Sequence, residues 1–252
     1  MSAGALVACP TYAGKEYALD AWLDGYKALT YQPRWAYQVD NTLTGLQYFE
    51  TLKERGLKCS HVAPWTDAPM EKTFHRAWEL ILEEAEREDA YWVYSVEADN
   101  VPAPESLEMM IDIALYGKVH LVTHDYPMHK SAVEASGMRG DEFYYTELGC
   151  MLMSRQLLSR ALAMYDEFKN VPLAIFNACE RYHGGNCKLT NAFEVQHLDG
   201  YEMEFPQFAP NVDNPGFCPT PEVPDDYGTV IPPSLREALE GERTFAEMNP
   251  SG

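Results

Sequence analysis

Over its first 125 residues the sequence repeatedly switches hydrophobic period, and this constrains the fold more than any other feature. Short apolar runs of strand length alternate with segments whose apolar residues recur at helical spacing. Residues 5–10 (ALVACP) form an apolar run stopped by a proline and followed by the polar turn TYAGKE. Residues 16–29 then place Tyr17, Leu19, Trp22 and Leu23 at helical spacing. A second strand, WAYQVDN, ends in Asp40-Asn41, and the helical GLQYFETLKERG closes at Gly56, a residue suited to a helix C-terminus. KCSHVAPW reads as a third strand.

Residues 70–89 carry the clearest helix, with Phe74, Ala77, Trp78, Ile81, Leu82 and Ala85 on one stripe. The strand 91–96 follows and stops at Glu97-Ala98-Asp99-Asn100. PESLEMMIDIALYG, with proline at its start and glycine at its end, reads as a helix, and KVHLVTHDYP as another strand. Strands alternating with helices predict an α/β sandwich around a mostly parallel sheet. Ligands of such sheets sit beyond the C-terminal strand ends. Pro10-Thr11-Tyr12, Asp40-Asn41 and Glu97–Asn100 are therefore expected to converge on one edge.

The second half reads differently. Residues 127–142 have no period and the composition of a mobile loop. FYYTELGCMLM is strand-like, SRQLLSRALAMYDEF is a helix with Ser154 as its N-cap, and LAIFNACERYHGG is a helix with a Gly-Gly stop. CKLTNAFEVQHLDG is a late strand region that ends at His197. Nine of the 17 prolines lie from Pro206 onward, which predicts an extended tail.

With 39 acidic against 19 basic residues the net charge is −20, which argues against a broad nucleic-acid-binding face. No run approaches the length of a membrane span, and the N-terminus lacks the basic and apolar regions of a signal peptide. The six cysteines include no C-x-x-C pair, so zinc is poorly supported and reduced thiols in a cytoplasmic protein are expected.

Glu97 and Asp99, one residue apart at a strand end, suit a hard divalent cation such as Mg²⁺ or Mn²⁺ shared with substrate phosphates. The competing reading is an acidic pair that caps the next helix. His197 offers an imidazole to the same cation, and Lys130 and Arg139 in the predicted loop are candidates to fold over a phosphate. His120, His124, His129 and His183 have no metal-like spacing, and no Walker loop, G-x-G-x-x-G, G-x-S-x-G or H-E-x-x-H motif occurs.

These pieces, in this order, resemble the nucleotide-sugar glycosyltransferases of GT-A fold, particularly the family 2 type. ALVACPTYAGKEYALDAWLDG is similar to that family's opening strand, turn and first helix, and VDNTLTG occupies the place of its strand-ending acidic cluster. YWVYSVEADNVPAPESLEMMI resembles its D-x-D strand and ELGCMLMSRQLL its later G-x-x-x-x-S-R segment. FNACERYHGGNCKLTNAFEVQHLDG is similar to its closing helix, turn and histidine-ended strand. The resemblance covers roughly residues 4–200. It implies a GT-A-like, Rossmann-type α/β/α sandwich over 1–205, with a nucleotide-binding half (1–125), an acceptor half (126–205) and a Pro-rich extension at 206–252.

The resemblance further implies a donor site made by Pro10, Thr11, Tyr12, Asp40, Asn41, Glu97 and Ala98. In it Thr11 and Tyr12 border the base, Asp40 hydrogen-bonds it, and Glu97 lies near ribose and metal. Asp99 and His197, with Glu97, would hold Mn²⁺ or Mg²⁺ on the donor diphosphate. Two departures stand out. Glutamate occupies the first D-x-D position, and no carboxylate lies between Pro172 and Glu180, where the family's catalytic base is found. Glu147, Asp166 and Glu167 are substitute bases for an inverting transfer, whereas a retaining transfer needs none.

The expectation is a metal-dependent glycosyltransferase that moves a sugar from a nucleotide diphosphate, UDP favoured, to an acceptor hydroxyl on a glycan, small molecule, lipid-linked intermediate, protein or modified nucleic acid base. A nucleotidyltransferase and a non-catalytic nucleotide- or sugar-binding module are the alternatives.

Overall fold

The computed structural model describes residues 4–33, 35–42, 45–62, 70–124, 149–185, 187–190, 192–193 and 195–198. The 127–142 loop, Lys130, Arg139, Glu147 and the Pro-rich tail lie outside the described residues.

The apolar runs become strands of one seven-stranded sheet: β1 (Ala5–Thr11), β2 (Trp35–Asp40), β3 (Lys58–His61), β4 (Trp92–Val96), β6 (Leu121–His124), β7 (Cys150–Ser154) and β8 (Cys187–Thr190). Their order is β3-β2-β1-β4-β7-β6-β8. β7 is antiparallel to both neighbours, while β1 pairs parallel with β2 and β4, β2 with β3, and β6 with β8. Six strands thus point the same way, and the expected mostly parallel α/β sheet is what forms. β1 and β4 are buried on both faces, which explains why they read as continuous apolar runs and not as alternating ones.

Helices cover both faces. On one side lie α1 (Leu19–Ala28), α2 (Gln47–Glu54) and α4 (Ser106–Gly117), whose Trp22, Leu23, Leu52 and Met110 pack on Ala5, Val7 and Trp92. On the other lie α3 (Met70–Arg87), α5 (Arg155–Ala163), α6 (Tyr165–Phe168) and α7 (Val171–His183). There Trp78, Ile81, Leu158 and Ile175 pack on Leu6, Ala8, Val93 and Met151. Alternate residues of β1 feed the two cores, as the pleat requires.

Local signals set the helix ends. Ser154 caps α5 by accepting from the Leu157 N–H at 3.1 Å, as its position at the head of SRQLL predicts. Asn170 caps α7 in the same way through the Leu173 N–H at 2.9 Å, and Gly184 ends it in the left-handed region at φ 60°. The single helix expected over residues 154–168 divides at Met164 into α5 and α6. The first predicted helix likewise opens as a 3-10 turn, Ala13–Ala18, before α1 begins.

One element was not foreseen. The late strand region splits between two sheets, with β8 in the main sheet and β9 (Val195–His197) in a small ribbon with β5 (Asn100–Pro102). The ribbon is antiparallel, with Asn100 opposite His197. Gly25 of α1 admits it, since a Cβ at that position would sit 2.8 Å from a Val101 methyl.

Candidate functional site

Because β1, β2 and β4 are parallel neighbours, the residues that end them meet on one edge of the sheet. A cavity of about 720 Å³ opens there. Pro10, Thr11 and Tyr12 line it from the end of β1, Asn41 and Thr42 from β2, and Glu97, Ala98 and Asp99 from β4. The predicted convergence of three polar strand ends is what the fold produces. α3 supplies a wall of Thr73, Phe74 and Trp78, and Lys15 reaches in from the 3-10 turn.

The end of β2 is internally tied. Asp40 is fully buried. Its Oδ1 accepts from the Thr42 N–H at 3.0 Å and from the Thr42 hydroxyl, and its Oδ2 pairs with His61 Nδ1 at 2.9 Å. Asp40 does not line the cavity; Asn41 and Thr42 do. The Asn41 N–H donates to the Thr11 carbonyl at 2.8 Å, and the Ala13 N–H to Thr42 Oγ1 at 2.9 Å, so the two strand ends are stitched together. Asn41 Oδ1 is buried and has no hydrogen-bond partner among the described residues. Thr11 is buried too, its hydroxyl 3.2 Å from that of Tyr48, whereas Tyr12 is about half exposed at the cavity rim.

The end of β4 is arranged otherwise. Glu97 and Asn100 both hold the Gly149 carbonyl, through the Glu97 N–H at 3.0 Å and Asn100 Nδ2 at 2.9 Å. The Leu198 N–H donates to the Asp99 carbonyl at 2.7 Å and locks β9 onto this turn. His197 is thereby carried across nearly a hundred residues of sequence to stand with Nε2 3.4 Å from Asp99 Oδ2. The Tyr17 hydroxyl lies 3.4 Å from the same oxygen and donates to the Leu198 carbonyl at 3.0 Å, and the Lys15 ammonium also pairs with Oδ2. Asp99 Oδ1 is buried and has no hydrogen-bond partner among the described residues.

Electrostatics follow from this crowding. Burial works against the Asp99 charge, but the hydrogen bond from His197 and the positive charge of Lys15 more than offset it and hold the carboxyl at about 2. Burial likewise opposes the charge on Lys15, and the neighbouring Asp99, with Glu97 beyond, raises its pKa above the ordinary value. Both groups are therefore ionised at neutral pH.

A divalent cation is implied by the resemblance, and the residues can be tested against it. A buried carboxylate oxygen without a partner, beside an imidazole, matches the oxygen-and-nitrogen donor set that suits Mn²⁺. Glu97 lines the same cavity. Among the described residues no group of three or more His, Cys, Asp or Glu side chains gathers at one point, so the protein offers Asp99 and His197 as a pair. With the remaining positions open to phosphate oxygens and water, this set fits the cation.

The candidate bases Asp166 and Glu167 lie on α6, exposed and outside the cavity lining. Asp166 pairs with Lys169, and Glu167 makes a two-pronged pair with Arg181 at 2.9 and 3.1 Å. These hydrogen bonds push both carboxyls below their ordinary values and make them weaker bases. Lys15, Tyr17, Thr42, Thr73 and Gly149 all touch or line the site, and the sequence reading gave none of them a place in it. Trp78, fully buried, and Phe74, partly buried, belong to the predicted apolar stripe of α3, and that stripe also walls the cavity.

No protein-family model and no curated protein matches the chain. Several solved structures do. S. aureus TarS is 18% identical with a TM-score of 0.44, over 63% of this chain and 29% of that one. TarS residues 1–349 in complex with UDP is 17% identical with a TM-score of 0.46, over 69% of this chain and 54% of that one. Glucosyl-3-phosphoglycerate synthase from Mycobacterium tuberculosis, in complex with Mn²⁺, UDP-glucose and phosphoglyceric acid, is 13% identical with a TM-score of 0.46, over 67% of each chain. At such identity and TM-score the likeness is distant, and the functional reading rests on the site's own residues.

Proposed function

We propose that this chain is a metal-dependent glycosyltransferase that moves a sugar from a nucleotide diphosphate donor, UDP favoured, to an acceptor hydroxyl. The observation that carries the reading is that Asp99, which lines a cavity built on three parallel strand ends, is met by His197 at 3.4 Å. The residue types expected for a cation seat come from positions 98 apart in sequence, and Asp99 keeps a buried oxygen available.

In this reading Asp99 and His197 hold Mn²⁺ or Mg²⁺, which when bound neutralises the donor diphosphate. Asn41, Thr42 and Tyr12 border the base, and Phe74 and Trp78 shield the donor from water. Glu97 lies near the ribose. Transfer breaks the bond between the sugar anomeric carbon and the diphosphate oxygen and forms one from the acceptor oxygen to that carbon. The acceptor proton leaves to a base or to the departing phosphate. Glu147 is the base we favour, because Gly149, two positions later, binds the Glu97–Asn100 turn through its carbonyl, whereas Asp166 and Glu167 are held by their own cationic partners. Lys130 and Arg139 are proposed to reach the donor phosphates. Among the described residues no two cysteines are joined by a disulfide, which supports the proposal of a cytoplasmic setting. No helix of the described residues is long and apolar enough to cross a membrane.

The test is Mn²⁺-dependent release of nucleotide from a panel of sugar nucleotides, by the wild-type chain and by Asp99→Asn. Release by the wild type that Asp99→Asn abolishes is the expected result. Nucleotide binding with no turnover from any donor would instead favour a non-catalytic binding module.

A further inference from the structure

The Asp99 carboxylate is unevenly used. Lys15, Tyr17 and His197 all converge on Oδ2, while Oδ1, buried in the same group, has no hydrogen-bond partner among the described residues. A carboxylate has about four lone-pair sites spread over its two oxygens, so partners gathered on one oxygen leave half of its capacity idle. Two of the three are positively charged or chargeable. One of them, Lys15, lines the cavity and comes from the turn directly after Thr11 and Tyr12. Its stem is long and its ammonium rotates freely, so it can leave Asp99 without disturbing the turn.

Resting on the proposed donor site, we infer that Lys15 and the divalent cation compete for Asp99, and that Lys15 is a phosphate-binding residue of that site. An ammonium and a divalent cation on one carboxylate repel each other strongly in a partly buried cavity. The Lys15 ammonium, which pairs with Asp99 and lines the cavity, has one other class of anion within the proposed site, the donor diphosphate. As a point charge on a flexible stem it suits phosphate oxygens. Cation entry and phosphate capture are thereby coupled: the cation frees the lysine, and the lysine closes on the phosphate. A purely structural salt bridge would pin the 3-10 turn to the end of β4 and do nothing else.

Two measurements separate these roles. Mn²⁺ binding followed by electron paramagnetic resonance should show Lys15→Met binding free Mn²⁺ about tenfold more tightly than wild type, the scale set by removing one adjacent like charge. Calorimetry at saturating Mn²⁺ should show the same variant binding UDP about tenfold more weakly, with Lys15→Arg restoring most of the loss. In the wild type, mass-spectrometric amine labelling should find Lys15 more reactive once Mn²⁺ is added and protected when UDP follows. Unchanged or weaker Mn²⁺ binding by Lys15→Met overturns the inference. So does Lys15 labelling that ignores Mn²⁺ while resonance shows the ion bound. A wild-type chain that binds neither Mn²⁺ nor UDP overturns the donor site itself, and the inference with it.

Discussion

Two buried aspartates end two strands of the same sheet and face opposite fates. Asp40 at the end of β2 and Asp99 just past β4 are both almost inaccessible to solvent, and each has a histidine within 3.5 Å. Asp40 has both oxygens partnered within its own strand end and the next one, by Thr42 and His61. Asp99 has one oxygen crowded and one without a partner among the described residues, beside a cavity. A buried carboxylate whose acceptors are all met shapes a loop. One that is left half-met beside a cavity is built for something that arrives later.

That contrast can be broken most sharply at Asp99. Asp99→Asn should lower metal-dependent turnover by about 10²–10³-fold, the scale of losing one charge-stabilising group. Its urea midpoint should fall less than that of Asp40→Ala, because the isosteric amide keeps the turn and Lys15 can swing to solvent. Asp40→Ala should do the reverse. Thr42 and His61 would be left with donors pointing at nothing, at a cost of about 1–3 kcal/mol in unfolding free energy, with Mn²⁺ affinity retained. Equal stability losses in the two variants would erase the distinction.

His197→Gln sharpens the same comparison at smaller scale. His197 is partly exposed and its backbone is held by β5, so the substitution should leave stability unchanged and weaken Mn²⁺ binding by about tenfold. His61→Gln, the matching change beside Asp40, should leave Mn²⁺ binding unaltered. Metal titration of both variants reads the difference directly.

The smallest effect lies away from the cavity. Burial first, then the neighbouring His120 and Arg160, push His183 down to about 4. The unfolded chain takes up this proton near the ordinary value of 6.5, which the folded side chain refuses. The contribution is therefore full above pH 6.5 and is lost as pH falls from there toward 4. His183→Gln should flatten the fall in thermal midpoint across that window without touching nucleotide binding.

The difference between the two aspartates also marks how far the sequence could be read. Strands β1 and β4 announced themselves because strands buried on both faces are mostly apolar. Helix α3 did so through its stripe, and α5 through the Ser154 cap. Asp99 and His197 could be nominated together from their positions at strand ends and from the family resemblance. The β5–β9 ribbon that joins them could not, because Asn100-Val101-Pro102 is short and holds a proline that cannot donate to a ladder. Nor does an apolar run such as CMLM say that β7 will lie antiparallel between two neighbours. Lys15 is legible only as the one base of the loop after β1, because its partner is 84 residues away and no local pattern encodes that contact. The internal use of Asp40 had one local hint, a threonine two residues on, which suits a side-chain-to-backbone turn.

The central claim is that Asp99 and His197 form the cation seat of a sugar-nucleotide site. Anomalous scattering from crystals grown with UDP and Mn²⁺ tests it most directly. The account predicts a manganese peak in direct contact with Asp99 and His197, bridging to the UDP diphosphate. A manganese peak held by other residues, with UDP bound away from the ends of β1, β2 and β4, would contradict it.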